Sequence, residues 1–150
     1  MVFLVPFDGS DLSAAALERA TEFASFADGD VVVLSVVPDE REYATDRGWI
    51  DAHEEFTRDL VASRLEAQAR SIDPDATFRW ESLSTSPDPT STVSTDVART
   101  IREVAAEIGA EIVFIGSENA GRVSTPLTSV GSPVSTDPRY DVHIVRHPGE

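Results

Sequence analysis

The sequence predicts a doubly wound α/β fold in which one open sheet holds five mainly parallel strands. Two observations support this prediction: short, continuous apolar runs recur along the chain, and segments with helical spacing of apolar residues separate most of them. Continuous apolar runs are typical of strands buried on both faces, as in parallel sheets covered by helices. Because no internal repeat or second zone of composition interrupts the pattern, we expect residues 1–150 to form a single domain.

The N-terminal part of the chain predicts a strand, a helix and a second strand. Residues 2–7 form an apolar run expected at the centre of the sheet, and residues 31–37 form the next run. Between them Ser10 is a suitable N-cap, apolar residues follow at helical spacing, and Gly29 can end the helix. Two strands joined in this way should be parallel, with a right-handed crossover.

The middle of the chain predicts a long helix, an edge strand and a loop. A helical pattern extends from Tyr43 to about Arg70, and residues 76–83 alternate apolar and polar residues, as in a strand with one buried face. The stretch from Ser82 to Thr95 is rich in Ser, Thr and Pro and has little to bury. We expect it to be a mobile connection; a lid or a phosphorylation target is the alternative.

The last third of the chain predicts one more helix and two strands. Residues 101–108 place apolar side chains on one helix face, and Gly109 can end that helix. Residues 112–115 and 142–145 are the remaining apolar runs, and each reads as a strand.

The charge balance is strongly acidic. The chain has 27 Asp and Glu against 12 basic residues, all of them Arg, and its formal net charge is −15. This balance argues against a nucleic-acid partner, because phosphate contacts need clustered cations and these arginines are scattered. Acidity spread along the whole chain indicates a solvated surface, as in proteins from halophiles; recruitment of a basic partner is the alternative.

Other composition features limit the function further. The chain has no cysteine, so disulfides and cysteine-ligated metals are excluded. No run approaches the length of a membrane span, and no signal-peptide pattern precedes Asp8. We expect a soluble, cytoplasmic protein without membrane contact.

Glycines after the fourth predicted strand suggest an anion site. Gly116 follows residues 112–115 directly, and Gly121 and Gly131 come later, with a helix start expected near Ser132. In open α/β sheets ligands bind outside the carboxyl ends of strands, and glycines there let backbone N–H groups approach a phosphate. Ordinary turns are the alternative reading of the same residues.

Three segments together resemble the universal stress protein family: residues 4–10 (LVPFDGS), Val36-Val37 at the end of the second strand, and residues 110–117 (AEIVFIGS). The resemblance covers nearly the whole chain in order and length. It implies an adenine nucleotide alpha hydrolase-like sheet with strand order 3-2-1-4-5. It also implies a homodimer formed through the last strand.

The resemblance also implies a nucleotide site. The family's nucleotide-binding branch carries the loop Gly-x-x-Gly-x9-Gly-Ser/Thr. Gly121, nine residues and Gly131-Ser132 reproduce its second half, whereas four residues instead of two separate Gly116 from Gly121. The implied ligand is an adenine nucleotide such as ATP with Mg²⁺, bordered by Pro6, Asp8, Val36, Ile115, Gly116, Gly121, Arg122, Gly131, Ser132 and Val134.

Three functions remain open. The first is a stress-response module that binds an adenine nucleotide, and the second is a homodimer that has lost the ligand and acts through protein association. The third is a slow nucleotide hydrolase, for which the sequence offers no clear general base.

Asp8 also fits a purely structural role in the turn and helix cap after the first strand. His53, His143 and His147 suggest neither a metal site nor a catalytic triad, and we assign no catalytic residue.

Overall fold

A computed structural model describes residues 1–83, 92–117 and 140–147 of the chain. These residues form five strands and four helices. In chain order they are β1 (Val2–Pro6), α1 (Asp11–Ala27), β2 (Asp30–Pro38), α2 (Arg41–Asp46), α3 (Arg58–Ile72), β3 (Thr77–Leu83), α4 (Val93–Ile108), β4 (Ile112–Gly116) and β5 (Asp141–Val145).

The strands form one parallel sheet with the order β3-β2-β1-β4-β5, which confirms the predicted fold class and strand order. β1 is central: Leu4 aligns with Val32 on one side and with Val113 on the other. From β1 the chain first builds the sheet toward β3 and then returns to add β4 on the opposite side. The strand order therefore reverses between β1 and β4, the position where open α/β sheets bind ligands.

Both faces of the sheet are covered, which explains the continuous apolar runs. Phe3 and Val5 contribute to the core on the side of α1 and α3, whereas Leu4 between them faces the side of α4. All three side chains are fully buried. The period-2 alternation of side chains in a strand thus supplies apolar residues to two separate cores.

Helix α1 begins as the sequence predicts but ends one residue earlier than expected. The Ser10 hydroxyl accepts a hydrogen bond from the Ser13 N–H (3.2 Å), so Ser10 is the N-cap. At the other end Asp28, not Gly29, adopts the left-handed conformation, with φ 53°. Gly29 is needed for a different reason: a Cβ there would lie 2.6 Å from the ring of Phe3.

The single helix predicted from Tyr43 to Arg70 is wrong. Helix α2 ends at Asp46, Gly48 has φ 76°, and α3 starts only after Thr57, whose hydroxyl accepts from the Leu60 N–H (3.2 Å). His53 therefore lies in an exposed connection and not on a helix. Two local signals, a glycine in positive φ and a Thr N-cap, override the apparent helical spacing between them.

The edge position of β3 and the end of α4 at Gly109, which has φ 65°, agree with the predictions. The predicted loop from Ser82 to Thr95 is shorter than expected, since β3 runs to Leu83 and α4 begins at Val93; residues 84–91 lie outside the described residues. Among the described helices, none is long and apolar enough to cross a membrane.

Candidate functional site

A crevice opens at the carboxyl ends of β1, β2 and β4, where the strand order reverses. The start of α1, the start of α4 and the segment from α2 to Trp49 complete its walls. It is lined by Pro6, Phe7, Asp8, Ser10, Leu12, Ser13, Leu34, Val36, Tyr43, Arg47, Trp49, Val97, Ala98, Ile101, Ile115 and Gly116.

The residues that join β1 to α1 fix the Asp8 carboxylate at this crevice. Its Oδ1 accepts a hydrogen bond from the Ser10 N–H (3.0 Å), the local pattern of an Asx turn. The Ser13 hydroxyl donates to the Ser10 carbonyl (2.9 Å) and accepts a long hydrogen bond from the Asp8 N–H (3.4 Å). Gly9 lies between them with φ 81°, a conformation that glycine adopts at little cost. The turn and cap reading of Asp8 is therefore correct, and it leaves one carboxylate oxygen free of this network.

The segment after α2 forms a wall of the crevice that the sequence reasoning missed. The Trp49 indole N–H donates to the Asp8 carbonyl (2.8 Å), and its ring lies 5.6 Å from that of Tyr43. Arg47 reaches from the same segment to within 4.0 Å of Asp8 (Nη1 to Oδ2), and its guanidinium lies over the Tyr43 ring at 4.1 Å. Gly48 before a large aromatic residue was the available signal for this turn, because glycine is unfavourable inside a helix.

The ion pair between Arg64 of α3 and Glu54 helps to hold the segment that carries Trp49. The Arg64 guanidinium donates to the Trp49 carbonyl (2.8 Å) and pairs with the Glu54 carboxylate through both of its terminal nitrogens. The hydrogen bond from Arg64 lowers the pKa of Glu54 to about 2, with a further contribution from the Asp51 N–H. Glu54 is therefore ionised at neutral pH, and Arg64 connects it to the turn that carries Trp49.

The opposite part of the crevice is apolar. Val36 lies near the end of β2 and Ile115 near the end of β4, and both side chains are almost fully buried in the core beneath α4. Val97, Ala98 and Ile101 close this part from α4. A flat apolar group fits against such a wall, whereas hydroxyl or phosphate groups fit the polar part around Asp8, Ser10 and Ser13.

Gly116 has a packing role at the site. A Cβ at this position would lie 2.8 Å from the Cβ of Leu12, so the missing side chain lets the end of β4 approach the first turn of α1. Gly116 therefore shapes the crevice whether or not a ligand touches it.

Five of the ten residues predicted for the site line this crevice: Pro6, Asp8, Val36, Ile115 and Gly116. The other five, which are Gly121, Arg122, Gly131, Ser132 and Val134, lie outside the described residues, as does the helix start expected near Ser132. Within the ranges 1–83, 92–117 and 140–147, no group of three His, Asp or Glu side chains could hold a metal ion.

The whole chain is similar to known universal stress proteins. Its sequence matches the family model described as the universal stress protein family over residues 1–146. A universal stress protein solved in complex with cAMP has 22% identity and a TM-score of 0.53, covering 99% of this chain and 98% of that chain. The universal stress protein from Archaeoglobus fulgidus in complex with dAMP has 18% identity and a TM-score of 0.60, covering 97% and 98%.

A protein of the same family from Burkholderia pseudomallei has 18% identity and a TM-score of 0.50, covering 99% of this chain and 96% of that chain. At these identities the structural similarity establishes the fold. No curated protein matches this sequence.

Proposed function

The chain belongs to the universal stress protein family, and from that premise we propose that it is a stress-response binding module that holds an adenine nucleotide in the crevice at the carboxyl edge of its sheet. The observation that carries the proposal is the division of this crevice into an apolar part and a polar part. Two of the similar solved structures are complexes with cAMP and dAMP, which makes an adenine nucleotide the ligand to test first.

In this proposal each part of the crevice takes a different part of the nucleotide. The adenine ring lies against Val36 and Ile115, where burial of its faces is favourable. The free oxygen of the Asp8 carboxylate accepts a hydrogen bond from a ribose hydroxyl, since its other oxygen is held by the Ser10 N–H. Gly121, Gly131 and Ser132 contact phosphates, as the resemblance implies, with Arg122 and Val134 beside them.

Magnesium ion enters this proposal only with the nucleotide. The described crevice offers one carboxylate, Asp8, which already accepts from Ser10 and lies near Arg47. Magnesium ions usually keep several water ligands and bind through one or two carboxylates together with substrate phosphates. We therefore propose that Mg²⁺ accompanies ATP on its phosphates.

The decisive experiment replaces one residue of the crevice wall with a larger one, so that less space is left for a ligand. Ala98→Leu adds bulk where α4 closes the apolar part, and Ala106→Leu adds the same group at an exposed position of the same helix. AMP, cAMP and ATP with Mg²⁺ are titrated calorimetrically into wild type and both variants at high salt, and melting curves confirm that each variant is folded. Ligand at a hundred times its Kd should stabilise wild type and Ala106→Leu by about 2.7 kcal/mol. Ala98→Leu should lose this stabilisation, and equal binding by both variants would show that the ligand lies elsewhere.

The predicted glycine loop has its own test. Gly131→Val should abolish binding, because a β-branched side chain restricts the backbone and fills space next to a phosphate. Ser132→Ala should reduce affinity about tenfold to a hundredfold, the loss of one hydrogen bond to a charged group. Mass spectrometry of the gently desalted protein provides an independent search for a co-purifying nucleotide. If no nucleotide is found and millimolar ATP gives neither heat nor stabilisation, the nucleotide proposal is wrong.

A homodimer without nucleotide is the second candidate function, and one observation favours it. β5 ends the described sheet with a neighbour on one side only, and an unpaired strand edge is a template for pairing with another chain. We propose that two copies pair through β5 in either case. A strict monomer in sedimentation at tens of micromolar protein and high salt would refute this pairing.

The proposal also includes a reason for the acidic composition. We propose that the net charge of −15 is an adaptation to a salt-rich cytoplasm, where counterions screen the repulsion between carboxylates. The whole chain, residues 1–150, then acts as one domain in that compartment.

A further inference from the structure

Arg47 is placed at the crevice in a way that leaves its hydrogen-bonding capacity largely unused. Its Nη1 lies 4.0 Å from Asp8 Oδ2, well beyond the roughly 2.7–2.9 Å of a charge-assisted hydrogen bond. Its guanidinium carbon lies over the Tyr43 ring, 4.1 Å from the centroid, and this cation–π contact involves no conventional hydrogen-bond acceptor. Within residues 1–83, 92–117 and 140–147, no hydrogen bond occupies the planar fork of N–H groups.

Two other arginines show what a structural guanidinium looks like in this chain. Arg64 donates to the Trp49 carbonyl and to the Glu54 carboxylate, and Arg79 donates to Glu81 and Glu107. Each is occupied by at least two acceptors. Arg47 has no such set of acceptors among the described residues. Of the residues named above as lining the crevice, it is the cationic one.

A phosphate bound in the crevice would need a nearby cation to offset the negative charge of Asp8. A phosphate in the polar part would lie close to the Asp8 carboxylate, in a molecule whose formal net charge is −15. Two negative charges in close proximity near a protein surface repel each other. A guanidinium beside both groups removes this conflict, and its fork matches the geometry of phosphate oxygens.

We propose that Arg47 binds a phosphate group of the nucleotide, reaching it from the side of α2 while its ring contact with Tyr43 persists. This assignment rests on the proposed function. It gives the site a residue that distinguishes nucleotides from nucleosides, in addition to Arg122, which the family resemblance implies.

The segment that carries Arg47 is held as a binding residue requires. The chain leaves α2 at Asp46, turns at Gly48 and is fixed at Trp49, whose indole N–H donates to the Asp8 carbonyl and whose own carbonyl accepts from Arg64. Because this turn is anchored at both groups of Trp49, its backbone loses little conformational entropy when the guanidinium engages a ligand.

The test compares a nucleoside with its monophosphate. Adenosine and AMP are titrated into wild type, Arg47→Gln and Arg47→Lys, with Arg58→Gln as the control. Arg58 is a matched control because it also lies 4.0 Å from an aspartate, Asp39, but away from this crevice. Arg47→Gln should weaken AMP about tenfold to a hundredfold and leave adenosine within about twofold. Arg47→Lys should fall between, because it keeps the charge and loses the fork.

A second set of titrations distinguishes contact between Arg47 and the phosphate from mere neutralisation of the Asp8 charge. The same titrations are repeated with Asp8→Asn and with Asp8→Asn combined with Arg47→Gln. If Arg47 contacts the phosphate, removing it still weakens AMP relative to adenosine in the Asp8→Asn protein. If the AMP loss disappears there, Arg47 only neutralises Asp8 and the assignment is wrong.

The remaining outcomes are also decisive. Equal losses for adenosine and AMP would mean that Arg47 merely supports the crevice, which overturns the assignment. AMP binding by Arg47→Gln as tight as wild type overturns it while leaving the proposed function intact. Absence of binding of both ligands to wild type refutes the proposed function, and the assignment falls with it.

Discussion

Replacing Gly116 with alanine tests whether the missing side chain at the end of β4 is a packing requirement. The new Cβ would lie 2.8 Å from Leu12 Cβ, about 1 Å inside the favourable separation of roughly 3.5–4.0 Å. Leu12 Cβ is bonded directly to the backbone of α1, so no rotamer change moves it away. We expect the free energy of unfolding to fall by about 1–3 kcal/mol, the usual cost of overpacking. In a domain of this size the melting temperature should fall by roughly 2–12 °C.

A double-mutant cycle isolates this contact. In a Leu12→Gly protein the 2.8 Å contact is removed, and the remaining distances of 3.5 and 3.7 Å to the Leu12 backbone are ordinary. The cost of Gly116→Ala should therefore drop below about 0.5 kcal/mol in that background. Gly109→Ala is the control: no atom lies within 4 Å, and its cost comes from φ 65°, so it should not depend on Leu12. Chemical denaturation measures all the terms. Our packing argument is refuted if Gly116→Ala is as stable as wild type or if its cost is the same in both backgrounds.

Three further predictions follow from charge, burial and ring position. The melting temperature should rise between dilute buffer and molar KCl, because 27 acidic residues face 12 basic ones; a flat or falling midpoint contradicts salt adaptation. Burial, with a smaller contribution from Arg19, lowers the pKa of His143. The unfolded chain therefore binds this proton more readily, and the stability of wild type relative to His143→Phe should fall as the pH drops through about 6.5 and below; a constant difference between pH 8 and 5 contradicts this. In Trp80→Phe the remaining Trp49 should change its fluorescence when a nucleotide enters the crevice, and an unchanged spectrum at saturating ligand contradicts the proposed position.

The strands were predictable because burial on both sheet faces leaves a direct mark in the sequence. Residues such as Phe3, Leu4 and Val5 are all fully buried, so the apolar run is continuous and cannot be confused with a surface segment. The start of α1 was predictable for a similar local reason, since the Ser10 hydroxyl caps this helix within its own turn.

The connection between α2 and α3 could not be predicted in the same way. Trp49 and Phe56 satisfy a helical spacing in the sequence, but Trp49 is buried because its indole meets the Asp8 carbonyl and the Tyr43 ring. These partners belong to the connection after β1 and to α2, and only the tertiary fold brings them to Trp49. The same holds for the end of α1, where contact between Gly29 and Phe3, and not the helix cap, explains the glycine.

The residues of the candidate site likewise include some that the sequence indicates and one that it does not. Asp8 comes two residues after β1 and Gly116 is the last residue of β4, so the rule that ligands bind at the carboxyl ends of parallel strands finds them. Arg47 lies in a turn far from either strand in sequence, and its approach to Asp8 depends on the anchoring of Trp49. A residue of this kind carries no motif, so the sequence alone gives it no more weight than the other arginines.

The net charge of the molecule and an anionic ligand are compatible once distance is considered. At molar salt charges are screened within about 3 Å, so the carboxylates spread over the surface contribute little repulsion at the crevice. Contacts inside the crevice are shorter or of similar length and are partly shielded from solvent, so salt weakens them less. In the proposed complex the balance at the phosphate is then set by its immediate neighbours, of which Asp8 is unfavourable and Arg47 favourable. We therefore expect that a chain with so much acidic surface binds an anion where one nearby guanidinium has a larger effect than the total charge.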